Sequence, residues 1–153
     1  MFRKLTSDIM VSPQIGVDAV AEAKGLGVTL IINNRPEGES DDQVSGAEIE
    51  AVARAAGLDY VAIPITHSGF SQPQVEAMVA ALEGAEGKIL AYCRSGTRSC
   101  NLWALAGALK GEDLTRFETQ ARAAFDGGEQ GARRLAAALD AVATESLRRA
   151  GTS

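Results

Sequence analysis

Short apolar runs alternate along this chain with longer stretches in which apolar residues recur every three or four positions, the signature of strands alternating with helices. Ile9-Met10-Val11 reads as a short opening strand, and Val17 to Lys24 as an alanine-rich helix stopped by Gly25-Leu26-Gly27. Val28-Thr29-Leu30-Ile31-Ile32 is apolar at almost every position and ends at Asn33, as a parallel strand covered on both faces would. Glu37 to Val44 is acidic and polar and reads as a loop. Ser45-Gly46-Ala47-Glu48 has the form of a capping box, opening a helix that runs to about Ala56 and is closed by Gly57.

The same alternation continues through the middle of the chain. Tyr60-Val61-Ala62-Ile63-Pro64-Ile65 reads as a strand whose proline marks an edge or an end. Ser71 and Gln74 form a second capping box, with Pro73 in the first turn of a helix to about Leu82. Lys88-Ile89-Leu90-Ala91-Tyr92 is the next strand, a helix follows from about Ser99 to Lys110, and further helical stretches cover Leu114 to Phe125 and Gln130 to Arg149. This order predicts an α/β fold, a mostly parallel sheet flanked by helices and finished by C-terminal helices at about 112–149. Ligands bind such sheets beyond the carboxyl ends of the strands, so Asn33-Asn34-Arg35, Thr66-His67-Ser68 and the segment after Tyr92 are expected to converge.

A length of 153 residues suits one domain, with a core from about 5 to 110, and is short for two. Apolar residues at 46% and charged residues at 23% are ordinary for a soluble protein, and a net charge of −5 gives no global attraction to nucleic acid or to an anionic membrane. The basic N-terminus lacks a following apolar stretch of signal-peptide length, and no run is long enough to span a bilayer, so the expected location is the cytoplasm. Two cysteines and one histidine make neither a disulfide framework nor a zinc site, and no metal or cofactor is expected.

The strand ending at Tyr92 runs straight into Cys93-Arg94-Ser95-Gly96-Thr97-Arg98, and a helix follows at once. A tight loop between a strand and a helix N-terminus gathers backbone N–H groups around one point, where an anion is stabilised. A cysteine in that nest, beside Arg98 and Arg94, is favoured as thiolate and is expected to be the nucleophile, in the partly exposed, electropositive setting typical of reactive cysteines. Cys100 either packs as a small hydrophobe or resolves an oxidised Cys93.

Three segments carry a family resemblance: Met10-Val11-Ser12-Pro13-Gln14-Ile15, Ile31-Ile32-Asn33-Asn34-Arg35-Pro36 and Ala91-Tyr92-Cys93-Arg94-Ser95-Gly96-Thr97-Arg98-Ser99. From about Leu5 to Leu109 the chain resembles a bacterial family of domains of unknown function, the phosphatase-like domain of beta-lactamase hydrolase-like proteins, also found fused to a metallo-β-lactamase-fold hydrolase involved in sulfide handling. The resemblance implies the dual-specificity phosphatase branch of the cysteine-phosphatase fold, and members are described either as phosphatases or as sulfur transferases.

The loop departs from the phosphatase pattern. Phosphatases of that fold place five residues between cysteine and arginine, whereas four separate Cys93 from Arg98, and Ser99 stands where that arginine would fall. This six-residue loop is similar to that of rhodanese-type sulfurtransferases. The fold's phosphatases also carry an acidic aspartate after the preceding strand, whereas Thr66 to Gln72 contains no carboxylate.

The main expectation is therefore a sulfurtransferase in which Cys93 takes sulfur from a small sulfane donor and holds it as a persulfide. Arg98 would stabilise the anion with the loop amides of Arg94, Ser95, Gly96, Thr97 and Ser99; Asn34 and Arg35 are candidate substrate contacts, and His67 is a candidate for either a substrate contact or the missing acid. The alternative is a phosphatase acting on a phosphoester through a phosphocysteine. A third reading is a non-catalytic anion-binding module partnering a metallo-β-lactamase-fold hydrolase.

Overall fold

The computed structural model describes residues 2–66 and 69–109; the expected C-terminal helices and His67 lie outside these residues. In chain order the elements are β1 (Arg3–Lys4), β2 (Ile9–Ser12), α1 (Val17–Gly25), β3 (Val28–Asn33), α2 (Gly46–Ala55), β4 (Asp59–Ala62), α3 (Gln72–Gly84), β5 (Lys88–Tyr92) and α4 (Thr97–Leu109). The strands lie in the order β1-β2-β5-β3-β4, with β2, β5, β3 and β4 parallel and β1 antiparallel to β2.

Side chains alternate faces along a strand, and the two faces bury different partners. Ile31, Leu90 and Tyr92 pack with Val20 and Ala23 of α1 and Ile49 and Ala53 of α2. Leu30, Ile32, Ile89 and Ala91 pack on the other face with Val75 and Met78 of α3 and Leu102 to Ala106 of α4. Because helices cover both faces, the central strands β3 and β5 are apolar at consecutive positions rather than alternately. Among the described residues no helix is long and apolar enough to cross a membrane.

The helix starts follow the side chains read from the sequence. Ser45 accepts the Glu48 N–H at the start of α2, and at α3 the box is reciprocal: Ser71 accepts the Gln74 N–H while Gln74 accepts the Ser71 N–H at 2.8 Å. Each such cap contributes about 1 kcal/mol.

Three elements differ from expectation. The ladder of β4 ends at Ala62, since Pro64 has no N–H to offer it, yet Ile63 and Ile65 still donate to the carbonyls of Asn33 and Asn34 beyond the end of β3. The two-residue β1 has both side chains exposed and carries no apolar period from which to be read. Helix α4 begins at Thr97, two residues early, inside the cysteine loop itself.

Ser12, Tyr92, Asn33 and Ala62 stand in register across four neighbouring strands. Everything that follows these residues therefore emerges at one end of the sheet, which places the cysteine loop beside the segments after β2, β3 and β4.

Candidate active site

Cys93 is the first residue beyond β5, and its N–H donates to the Ser12 carbonyl. Gly96 has φ of 94°, a left-handed conformation that glycine adopts without strain, and this turn brings its N–H to within 3.0 Å of the Cys93 sulfur. The loop thus folds back over the thiol. Cys93 is buried, 0% exposed, which corrects the partly exposed setting expected of it; Arg94, Ser95 and Thr97 form the exposed rim above.

The rim is braced by its own hydroxyls: Ser95 donates to Thr97 Oγ1 at 3.1 Å and accepts the Thr97 N–H. The Gly96 carbonyl accepts the Cys100 N–H, tying the turn to the first turn of α4. Ser99 points away from the rim, buried, and donates to Asn34 Oδ1 at 2.7 Å.

The Arg98 guanidinium carries five N–H groups. Nη1 donates to Glu39 Oε2 at 2.8 Å and to the Ile65 carbonyl at 2.7 Å, and Nη2 donates to Glu39 Oε1 at 2.8 Å. The N–H groups not taken by Glu39 or Ile65 are that of Nε and the second of Nη2, which lie side by side on one edge of the planar fork. That edge has the spacing for two oxygens of one oxyanion. The hydrogen bond to Glu39 raises Arg98 above its ordinary range against the opposing effect of burial, and the charge of Cys93 and the hydrogen bonding between the two side chains act in the same direction as Glu39.

Glu39 was legible in the sequence only as one acid in a polar loop, and it is the residue that aims Arg98. Its Oε1 also accepts from Arg35 Nε at 3.0 Å. Hydrogen bonding to Arg98, helped by Arg35, lowers its carboxyl from 4.5 to about 2. The unfolded chain therefore binds a proton at Glu39 in a range where the folded protein does not, so stability from this group is full above about 4.5 and is lost as pH falls through about 2. Chemical denaturation followed across this range should show stability falling on acidification, with a smaller fall in Glu39→Gln.

Two residues expected to touch substrate are placed otherwise. Arg35 is 4% exposed, and besides Glu39 it donates to Gln14 Oε1 at 2.9 Å and Ser40 Oγ at 3.1 Å. Asn34 is 0% exposed, with its side-chain amide donating to the Ile63 carbonyl and its oxygen accepting from Ser99. Asn34 is fully buried, and Arg35 is nearly so with three of its five N–H groups given to protein acceptors, which turns both from substrate contacts toward a structural role. Gln14, given no role by the sequence beyond its place in a segment of the family resemblance, meets Arg35 through its side chain and the Arg94 carbonyl through its N–H at 3.1 Å.

Cys100 is buried against α4's apolar neighbours, and burial, with the nearby charge of Cys93, pushes its thiol up to about 12. At neutral pH its thiolate fraction is roughly a thousandfold below that of an ordinary cysteine, which suits the packing role and not that of a resolving thiol. Peptide mapping after native alkylation should find Cys100 unmodified until the protein is unfolded. Among the described residues no three His, Cys, Asp or Glu side chains gather as a metal ion would require.

Comparison with known proteins identifies the family and the fold. Residues 1–110 match the sequence profile of a family described as beta-lactamase hydrolase-like protein, phosphatase-like domain. A beta-lactamase hydrolase-like protein of Xylella fastidiosa is 33% identical over 113 residues, 74% of this chain and 26% of that protein, so the chain spans about a quarter of the length of the curated relatives it matches. The solved structure of a candidate phosphatase from Neisseria meningitidis aligns with a TM-score of 0.76 at 31% identity, covering 89% of this chain and 96% of that one. Human DUSP28 aligns at a TM-score of 0.69 and 16% identity over 97% of each chain, a likeness of fold alone.

Proposed function

Because the chain belongs to the family of phosphatase-like domains of beta-lactamase hydrolase-like proteins, we propose that it is a cysteine-dependent phosphatase, with Cys93 as nucleophile and Arg98 as the oxyanion clamp. The observation that carries this reading is the open edge of Arg98: Glu39 and Ile65 take three donors and leave a two-pronged face for a tetrahedral anion beside the loop. The similarity to the Neisseria candidate phosphatase supports the choice of phosphate.

In this mechanism the Cys93 thiolate attacks phosphorus in line with the ester oxygen. A sulfur–phosphorus bond forms, the phosphorus–oxygen ester bond breaks, and the leaving oxygen takes a proton from solvent. Water then attacks the phosphocysteine, releasing inorganic phosphate and restoring the thiolate. Charge that builds on the phosphoryl oxygens is met by the Arg98 edge and the loop amides, fixed before substrate arrives.

Glu39 is poorly placed to supply the leaving-group proton, because both its oxygens accept from arginines that hold its carboxyl low, and no Asp or Glu lies between Asp59 and Glu76. Aryl phosphates, whose leaving groups need least protonation, are therefore the favoured esters. The four-residue spacing of Cys93 and Arg98 favours a second reading, transfer of sulfane sulfur: the thiolate attacks the outer sulfur of thiosulfate, a persulfide forms and sulfite leaves. The metallo-β-lactamase-fold hydrolase expected as partner belongs to this same proposal.

One preparation decides between the two. Given para-nitrophenyl phosphate, the wild type should release phosphate; given thiosulfate or glutathione persulfide, intact-protein mass spectrometry should find no added sulfur. A stable persulfide on Cys93 with no phosphoester turnover would replace the first reading by the second.

A further inference from the structure

We propose that Arg35 is a positioning residue that fixes both ends of the Cys93 loop at once, holding Arg98 on one side and the Arg94 carbonyl on the other. The inference rests on the phosphatase reading for its effect on turnover, and on geometry alone for its effect on the loop.

Each arm of the Arg35 guanidinium reaches a different segment. Nε meets Glu39 Oε1, the same oxygen that accepts from Arg98 Nη2, so Arg35 bears on the end of the loop where α4 begins. Nη1 meets the Gln14 side chain, and the Gln14 N–H holds the Arg94 carbonyl, one residue after the nucleophile. Nη2 meets Ser40 Oγ, which in turn donates to Asp42, so the third arm steadies the segment that carries Glu39. The Arg35 N–H is itself held by Asn33 Oδ1 at 2.9 Å, at the end of β3.

The arrangement answers a question of charge. A carboxylate beside an anion site repels the anion, and Glu39 is only 15% exposed. Arg35 offsets that charge from behind, so that Glu39 can orient Arg98 while the group of two arginines and one carboxylate keeps a net positive charge. Its planar fork suits three simultaneous partners in a way that a lysine ammonium does not. Small displacements of such a loop matter, since a misplacement of about 1 Å can cost roughly a hundredfold in rate.

The test compares wild type, Arg35→Met, Arg35→Lys and Glu39→Gln by nuclear magnetic resonance and kinetics. In the ligand-free protein, order parameters of the Arg98 side-chain Nε–H and of the Arg94 to Gly96 amides should fall together in Arg35→Met, recover in part in Arg35→Lys, and leave the rest of the sheet unchanged. With para-nitrophenyl phosphate, kcat should fall about a hundredfold in Arg35→Met, and the losses in Arg35→Met and Glu39→Gln should be less than additive. Should Arg35→Met not fold, Gln14→Met cuts one arm only and should loosen the Arg94 end selectively. Unchanged order at both ends of the loop in a folded Arg35→Met, or at the Arg94 end in Gln14→Met, overturns the proposal. Absence of any phosphoester turnover in the wild type would sink the phosphatase reading instead, and the order parameters would still judge the clamp.

Discussion

Cys93→Ser is expected to lower phosphoester turnover by a factor on the order of 10⁴ to 10⁶ while binding inorganic phosphate at least as tightly as the wild type. A serine hydroxyl has nearly the shape of the thiol but is not ionised at neutral pH, so the attacking pair is lost while the Gly96 N–H and the Arg98 edge stay in place. A neutral hydroxyl also offers the bound phosphate no charge to repel it. Initial rates with para-nitrophenyl phosphate and calorimetric binding of inorganic phosphate give the two numbers separately. Turnover within tenfold of wild type would exclude Cys93 as the nucleophile, and loss of phosphate binding in a folded variant would mean that the sulfur, and not the loop, holds the anion.

Arg98→Lys is expected to cost about a thousandfold in kcat/KM, comparable to the loss of an oxyanion donor elsewhere, although charge is conserved. One ammonium cannot span Glu39, the Ile65 carbonyl and a phosphate together; drawn to Glu39, it presents no paired donors to the substrate. The effect should fall on kcat as well as KM, because both oxygens held by the free edge gain charge as the ester bond breaks. Circular dichroism should show a folded protein. If Arg98→Lys retains a tenth or more of wild-type efficiency, the open edge is not where the phosphoryl group sits.

The framework of the molecule was readable because it depends on local, repeated features. Val28 to Ile32 is apolar throughout since helices cover both of its faces, and Ser45 and Ser71 mark helix starts because their hydroxyls answer unpaired N–H groups. The cysteine loop was legible for the same reason: strand, glycine turn and helix follow one another without a gap. What escaped was set by distance along the chain. Glu39 finds Arg98 across 59 positions, and nothing in the run Glu37 to Val44 separates it from its acidic neighbours. Arg35 and Asn34 sit at a strand end, where ligands usually bind, and position alone could not reveal that both are buried and bonded to neighbouring segments. Burial of Cys93 was missed because the Gly96 turn closes over it, a matter of one backbone angle.

Asn34 also bears on the chemical ageing of the protein. Its N–H reaches the Tyr92 carbonyl, its carbonyl accepts from Ile65, and its side chain serves Ile63 and Ser99, so β3, β5, the segment after β4 and helix α4 are joined through one residue. Deamidation would turn the group facing the Ile63 carbonyl from donor to acceptor and bury a charge where there is no exposure. Yet that reaction begins with attack by the backbone nitrogen of the next residue, and the Arg35 nitrogen is held away by Asn33 Oδ1 at 2.9 Å. The asparagine whose decay would do the most damage is thus protected by the neighbour on its N-terminal side, and the Asn33-Asn34-Arg35 run acts as a built-in preservative of the joint that it forms.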